Sequence, residues 1–230
     1  FQRAQVMEGN VLVSVYASDG GWARQALAFA QAALRCYNEL YGDYPYPSLT
    51  LAGLTLPFDG AEYPGLCLLS VSLTGDALEK AVAHETAHQW WYAVVGSDGV
   101  NNAWQDEALS QFSALSYWES AHGSAARAEW YEQEIAPSLR ITLNATAGAP
   151  LSWFSSLSEY KSLVYDRGTA LLCAADELLN GRMNDFLRFY RERYAFRIAS
   201  RQDFLSLLTE YSNEDFTPLF EDYLDTLITP

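Results

Sequence analysis

His84, Glu85 and His88 stand together as HETAH inside the stretch KAVAHETAHQWWYAVVGSDGVNNAWQDEALSQF, which runs from Lys80 to Phe112. A helix puts residues i and i+4 on one face, so both imidazoles project side by side, one turn apart. That spacing lets two neutral histidines share one metal ion. Glu85 lies about 100° further round the helix, near enough to act beside the metal without binding it. A catalytic zinc needs a third protein ligand and keeps its fourth position for water. Glu107 follows His88 after eighteen intervening residues and can supply that ligand from a second helix, beyond the polar turn SDGVNN. A lone HExxH match also arises by chance, and a histidine on an apolar helix is often a core residue. Economy favours the metal. The chain has three histidines, two of them in the motif, and the third, His122, falls in a helix break (HGS) and reads as a surface residue. One zinc ion per chain is expected.

The chemistry follows from those residue types. A zinc ion held by two neutral imidazoles and one carboxylate keeps positive charge, and bound water then ionises near pH ~7. Glu85 is placed to take a proton from that water as general base and return it to a leaving amine. Asp106, beside Glu107, reads either as a group orienting a ligand histidine or as an exposed helix aspartate.

The elements that must hold these groups can be read in outline. The chain has 230 residues, half of them hydrophobic, enough for one large domain or two small ones with a real core. A net charge of −15 disfavours nucleic acid and anionic membrane surfaces as partners; it suits a cationic ligand, and on charge alone it equally serves solubility. Cys36, Cys67 and Cys173 are odd in number and far apart, so no disulfide framework is expected and the compartment stays open. No apolar run reaches the ~18 residues of a membrane span. The chain begins at Phe1 without a leader pattern and reads as a piece of a longer protein.

Residues 3–17 alternate apolar and polar and read as strand. Asp19-Gly20-Gly21 reads as a turn before an amphipathic helix from Trp22 to Tyr41, with Leu27, Ala30, Leu34, Tyr37 and Leu40 on its apolar stripe. Tyr44-Pro45-Tyr46-Pro47 ends it. Strands follow at Leu49–Leu56 and over LCLLSVSL, and between them Glu62 sits on a sheet edge among Gly60, Pro64 and Gly65. Asp76, with Glu79 three residues on, reads as a capping box for the motif helix. Beyond Ala114 the pattern is helical: a segment capped by Ser124 and divided at Pro137, a polar loop from Thr142 to Ser156, then helices over Ser158–Leu179, Met183–Tyr194, Asp203–Tyr211 and Phe216–Leu227. Strands early and helices late predict an α+β fold.

Together these motifs resemble peptidase family M1, the zinc aminopeptidases built on a thermolysin-like domain. HETAH, eighteen residues and Glu107 follow the family's ligand pattern. HQWWYAVVGSD and WQDEALSQF are similar to its HQWWYG and WLDEGL segments. Asp59-Gly60-Ala61-Glu62-Tyr63-Pro64-Gly65 resembles the Gly-Gly-Met-Glu-Tyr-Pro-Gly of a bacterial branch, with Asp59 and Ala61 replacing the usual Gly and Met. The resemblance implies that Glu62 binds the substrate α-ammonium, and it makes Gly60 and Ala61 substrate-site neighbours. Val164-Tyr165-Asp166-Arg167-Gly168 resembles the family's Tyr-Glu-Lys-Gly segment, which implies that Tyr165 stabilises the oxyanion; Tyr160, five residues earlier, matches a second tyrosine near the site. FEDYLDTLITP is similar to the family's domain ending.

The fold implied is a thermolysin-like zincin, with a small mixed sheet on the N-terminal side and a mostly helical C-terminal part. Residues 1–230 then form one catalytic domain, sheet-rich over 1–75 and helical with the zinc site over 76–230, without the family's upstream β-domain. The activity implied is removal of N-terminal residues from peptides with a free N-terminus. A thermolysin-like endopeptidase, which would not need Glu62, and a catalytically silent binding or scaffold module are the alternatives; the presence of His84, Glu85, His88, Glu107 and Tyr165 weighs against the last.

Overall fold

A computed structural model of the chain describes residues 1–227, so the end of the FEDYLDTLITP segment lies outside the described residues. The chain divides into two compact units, Phe1–Ala93 and Val94–Pro230. The architecture is α+β: a mixed sheet in the first unit and helices through most of the second.

The first unit begins with strands β1 (Gln2–Glu8) and β2 (Val11–Ala17), an antiparallel hairpin where one strand was expected. The alternation is continuous across both, but Gly9, at φ 55°, takes the left-handed conformation that reverses the chain. Helix α1 (Gly20–Tyr41) starts at Gly20, inside the expected turn and ahead of the expected Trp22, because the Asp19 carboxylate caps it by accepting from the Trp22 amide at 2.7 Å. Its buried face runs Ala23, Ala26, Ala30 and Ala33, small residues that let the helix approach its neighbours closely, and ends in the large rings of Tyr37 and Tyr41. Strands β3 (Ser48–Leu54), β4 (Gly60–Tyr63) and β5 (Leu66–Ser70) complete a sheet in the order β1-β2-β3-β5-β4, parallel at β2/β3 and β3/β5 and antiparallel at both edges. β4, which carries Glu62, is thus an edge strand.

Helix α2 (Gly75–Ala87) carries the motif. The expected capping box is absent. Thr74 holds the N-cap position and Asp76 lies inside the first turn, where its charge complements the helix dipole but cannot serve as the cap; Glu79 is buried. The helix ends at the motif instead of running past it: His88 is the C-cap, still αR, and its N–H reaches the His84 carbonyl. Aromatic anchors fix this end. Tyr37 donates to the Ala83 carbonyl at 2.9 Å, Trp90 meets the Tyr37 ring edge-on, and Trp91 does the same to Tyr41.

In the second unit the short strands β6 (Val95–Gly96) and β7 (Arg197–Ile198) pair in parallel. The Asp98 carboxylate accepts from the Val100 and Asn101 amides and shapes the polar turn that leads into helix α3 (Trp104–His122). Gln105 ties that helix start to the Tyr190 hydroxyl and the Ala199 carbonyl, and Trp104 packs edge-on against Phe204 and Phe220. Helix α4 (Ser124–Trp130) is preceded by Gly123 as N-cap, so Ser124 is its first residue and not its cap. The chain then passes through a π-turn (Tyr131–Ile135) and a 3-10 turn (Ala136–Arg140) at Pro137.

The buried Glu159 carboxylate gathers the Ser155 amide and hydroxyl and the Asn144 amide, closing the loop between 142 and 156 onto the helix that follows. That helix is not uniform: α5 (Leu157–Tyr160) passes into a π-helical segment (Lys161–Arg167) and then α6 (Gly168–Leu178). Helices α7 (Met183–Tyr194), α8 (Arg201–Ser212) and α9 (Thr217–Leu224) complete the unit. Among the described residues the cysteines form no disulfide, and no helix is long and apolar enough to cross a membrane.

Candidate active site

The first unit gathers four of the residues singled out in the sequence. His84 and His88 are both buried, their rings nearly perpendicular at 4.7 Å between centroids and their Nε2 atoms 3.0 Å apart. Two nitrogens bound to one tetrahedral zinc at 2.0–2.1 Å would be about 3.3 Å apart, so the pair fits such an ion with little adjustment. Glu85 is buried one residue on. Ligand atoms of Glu62, Glu85 and His88 all lie within 4.8 Å of one another.

Glu85 is held from behind. The Cys67 thiol donates to the Glu85 carbonyl at 3.2 Å. Burial, reinforced by the Glu85 carboxylate, pushes that thiol well above its ordinary value, so it remains neutral. Gly60 leaves room for the Glu85 side chain: a Cβ there would lie 2.6 Å from the Glu85 carboxyl carbon, so a larger residue would have to displace that carboxylate. Strand alternation carries Gly60 and Glu62 on one face of β4 and turns Ala61 to the other.

The second unit holds Glu107, Tyr160 and Tyr165. Glu107 lies half-buried in the first turn of α3, next to Asp106, which is buried rather than exposed as one reading had it. Carboxylates in a first helical turn are favoured as anions by the unpaired amides there. The Tyr160 hydroxyl donates to Glu107 at 3.3 Å, a long contact, and its ring meets Tyr165 edge-on at 5.6 Å. Gly168, just beyond, allows this helix to press on α3, since a Cβ there would sit 2.7 Å from that of Ala108. His122 is exposed at the end of α3, its ring tilted against Trp118 at 4.1 Å between centroids.

The sequence reading did not single out Gln89, which follows His88 and is completely buried. A polar side chain in the apolar run after the motif was the available signal.

A mixed sheet with the paired histidines at the end of its following helix defines a zincin-like fold. The chain belongs to peptidase family M1, matching the peptidase family M1 domain over residues 26–223. It is 26% identical to leukotriene A-4 hydrolase of Xenopus laevis over 213 residues, 87% of this chain and 34% of that protein. It is 33% identical to endoplasmic reticulum aminopeptidase 2 of Bos taurus over 120 residues, 46% of this chain and 13% of that protein. Among solved structures, yeast LTA4 hydrolase superposes with a TM-score of 0.78 at 18% identity, over 99% of this chain and 40% of that one. A mutant M1 zinc metallopeptidase from Deinococcus radiodurans gives 0.69 at 20% identity, over 100% of this chain and 53% of that one. The chain therefore spans about a third or less of the length of these curated relatives.

Proposed function

We propose that this chain is the catalytic domain of a zinc aminopeptidase, with residues 1–230 forming one thermolysin-like domain: a sheet-rich part over 1–75 and a helical part over 76–230. His84 and His88 hold the zinc ion with Glu107 as third ligand. Support for the ion comes from the donor set: two imidazole nitrogens face each other at near-ligand spacing, and a carboxylate follows at the family's interval. When bound, zinc supplies a Lewis acid for the scissile carbonyl and acidifies a water molecule. Glu85 takes the proton from the attacking water and returns it to the leaving amine. The Tyr165 hydroxyl donates to the developing oxyanion, with Tyr160 beside it. Glu62 accepts from the substrate α-ammonium in a charge-assisted hydrogen bond.

The observation that carries the exopeptidase reading is the approach of Glu62 to Glu85 and His88 within 4.8 Å. In an N-terminal residue the amine nitrogen and the carbonyl carbon are only about 2.5 Å apart, two bonds through Cα. The group that binds the amine must therefore lie within a few ångströms of the group that directs attack on the carbonyl. An endopeptidase has no use for a carboxylate there. The run from Gly60 to Gly65 supports membership of the Gly-Gly-Met-Glu-Tyr-Pro-Gly branch, and peptides with a free N-terminus are the substrates this reading requires. Anomalous scattering at the zinc edge should locate one ion per chain at His84, His88 and Glu107. Glu62→Ala should slow hydrolysis of free aminoacyl amides by about 10- to 100-fold, the loss of one charge-assisted hydrogen bond, and leave N-acetylated amides unaffected. Equal rates on free and acetylated substrates for the parent protein would sink the amine-binding role.

A further inference from the structure

Glu62 lies on β4, an edge strand with a partner on one side only, and something must fix its depth against α2. The candidate is Gln89. Its side-chain oxygen accepts from the Gly65 amide at 2.8 Å and from the Tyr44 hydroxyl at 3.1 Å; its NH2 donates to the Tyr63 carbonyl at 3.0 Å and to the Cys67 sulfur at 3.6 Å. A primary amide offers two donors and two acceptor sites, and all four are used. The orientation is forced, because a flipped amide would set NH2 against the Gly65 N–H and oxygen against the Tyr63 carbonyl.

Three of these contacts fall on the β4–β5 hairpin: at the end of β4, in the turn, and on Cys67, the cross-strand partner of Glu62. The hairpin is thus tied to the residue that directly follows His88. Cys67 adds a second tie by donating to the Glu85 carbonyl at 3.2 Å.

We propose that Gln89 is a positioning residue for exopeptidase specificity: it clamps the β4–β5 hairpin onto the end of the motif helix and so sets the distance from Glu62 to His88 and Glu85. The inference rests on the amine-binding reading of Glu62 and deepens it. A glutamine that only satisfied buried polar groups would affect stability and nothing else. A clamp that sets Glu62 would affect how well the site tells an amine from its absence.

The test is a ratio of dissociation constants, measured by calorimetry on the zinc-loaded protein, for leucine hydroxamate and its des-amino analogue, 4-methylpentanehydroxamate. Both carry the same metal-binding group and differ only in the ammonium. The parent protein should favour the amine about 10- to 100-fold, as expected for one charge-assisted hydrogen bond, and Glu62→Ala should abolish the preference. Gln89→Leu, which removes every contact of the clamp, should lower the ratio at least tenfold or to unity, with zinc content unchanged. Gln89→Glu keeps the volume and both acceptor contacts while losing both donors, and should lower it at least threefold. A ratio within twofold of the parent in either folded variant overturns the proposal, as does failure of both to fold, which would assign Gln89 to the core alone. A parent that binds both hydroxamates equally defeats the amine-binding reading itself; a preference lost in Glu62→Ala but kept in the Gln89 variants defeats only the clamp.

Discussion

The two units present their candidate site residues on helices of different winding. In the first, His84 and His88 are four residues apart on α2 and meet with ring centroids at 4.7 Å. In the second, Tyr160 and Tyr165 are five apart and meet at 5.6 Å. On an α-helix, residues five apart point about 140° away from each other. The tyrosines share a face because Lys161–Arg167 is π-helical, its last amide reaching back five residues from Gly168 to the Leu163 carbonyl. Such segments are rare and concentrate at functional sites. One unit uses the default helix to place its donors, and the other departs from it to bring two hydroxyl-bearing rings together.

The largest expected effect tests whether the motif helix of the first unit carries the proton transfer. Glu85→Gln should lower kcat by about 10²–10⁴ while zinc content, measured by atomic absorption, is unchanged. Full activity with normal zinc would remove Glu85 as general base. Next comes the π-helical unit. Tyr165→Phe should cost about 10²–10³ in kcat, the usual loss for one oxyanion donor, with little change in KM. Tyr160→Phe should cost less than Tyr165→Phe, because its hydroxyl faces Glu107 at a long 3.3 Å.

That contrast also explains what could be read in the sequence. The histidine pair is legible because four-residue spacing and α-helix go together, and α1 and α7 were readable for the same reason. The sheet-edge position of Glu62 was legible from the glycines and proline around it. Tyr160 and Tyr165 stood out only through resemblance to a family motif, because the apolar pattern from Ser158 to Leu179 is that of one ordinary helix, and nothing in it marks the extra residue per turn. The β1–β2 turn at Gly9-Asn10 was hidden because apolar residues alternate on both sides of it. Gln89 and Asp106 are polar residues whose burial depends on contacts distant in sequence, and a local pattern does not carry that information.

The smallest effects distinguish the two units by the sign of their response to pH. Asp166, in the π-helical segment, is pushed up to about 7 by burial, with Glu134 adding to the shift and Lys161 opposing it. Between its ordinary value near 3.8 and about 7 the folded chain holds a proton that the unfolded chain releases. Stability should therefore fall as pH rises through that window and level off above it. Asp166→Asn, neutral throughout, should match the parent below pH ~4 and exceed it by about 2 kcal/mol at pH 8, less than the ~4 kcal/mol that a three-unit shift would give with no solvent screening. Glu8 in the first unit behaves oppositely. The Arg35 guanidinium holds its carboxyl below the ordinary 4.5, so its contribution is present above that value and lost as pH falls. The pair is partly exposed, with Arg35 57% accessible, so the effect is small and screened by salt. Arg35→Ala should lower the urea midpoint slightly at pH 7 and not at all at pH 2. Asp166→Asn should also differ from the parent at the alkaline end, but with the opposite sign, as a gain in stability. If both variants shifted the midpoint in the same direction at pH 8, the opposite electrostatic settings of the two carboxyls would be wrong.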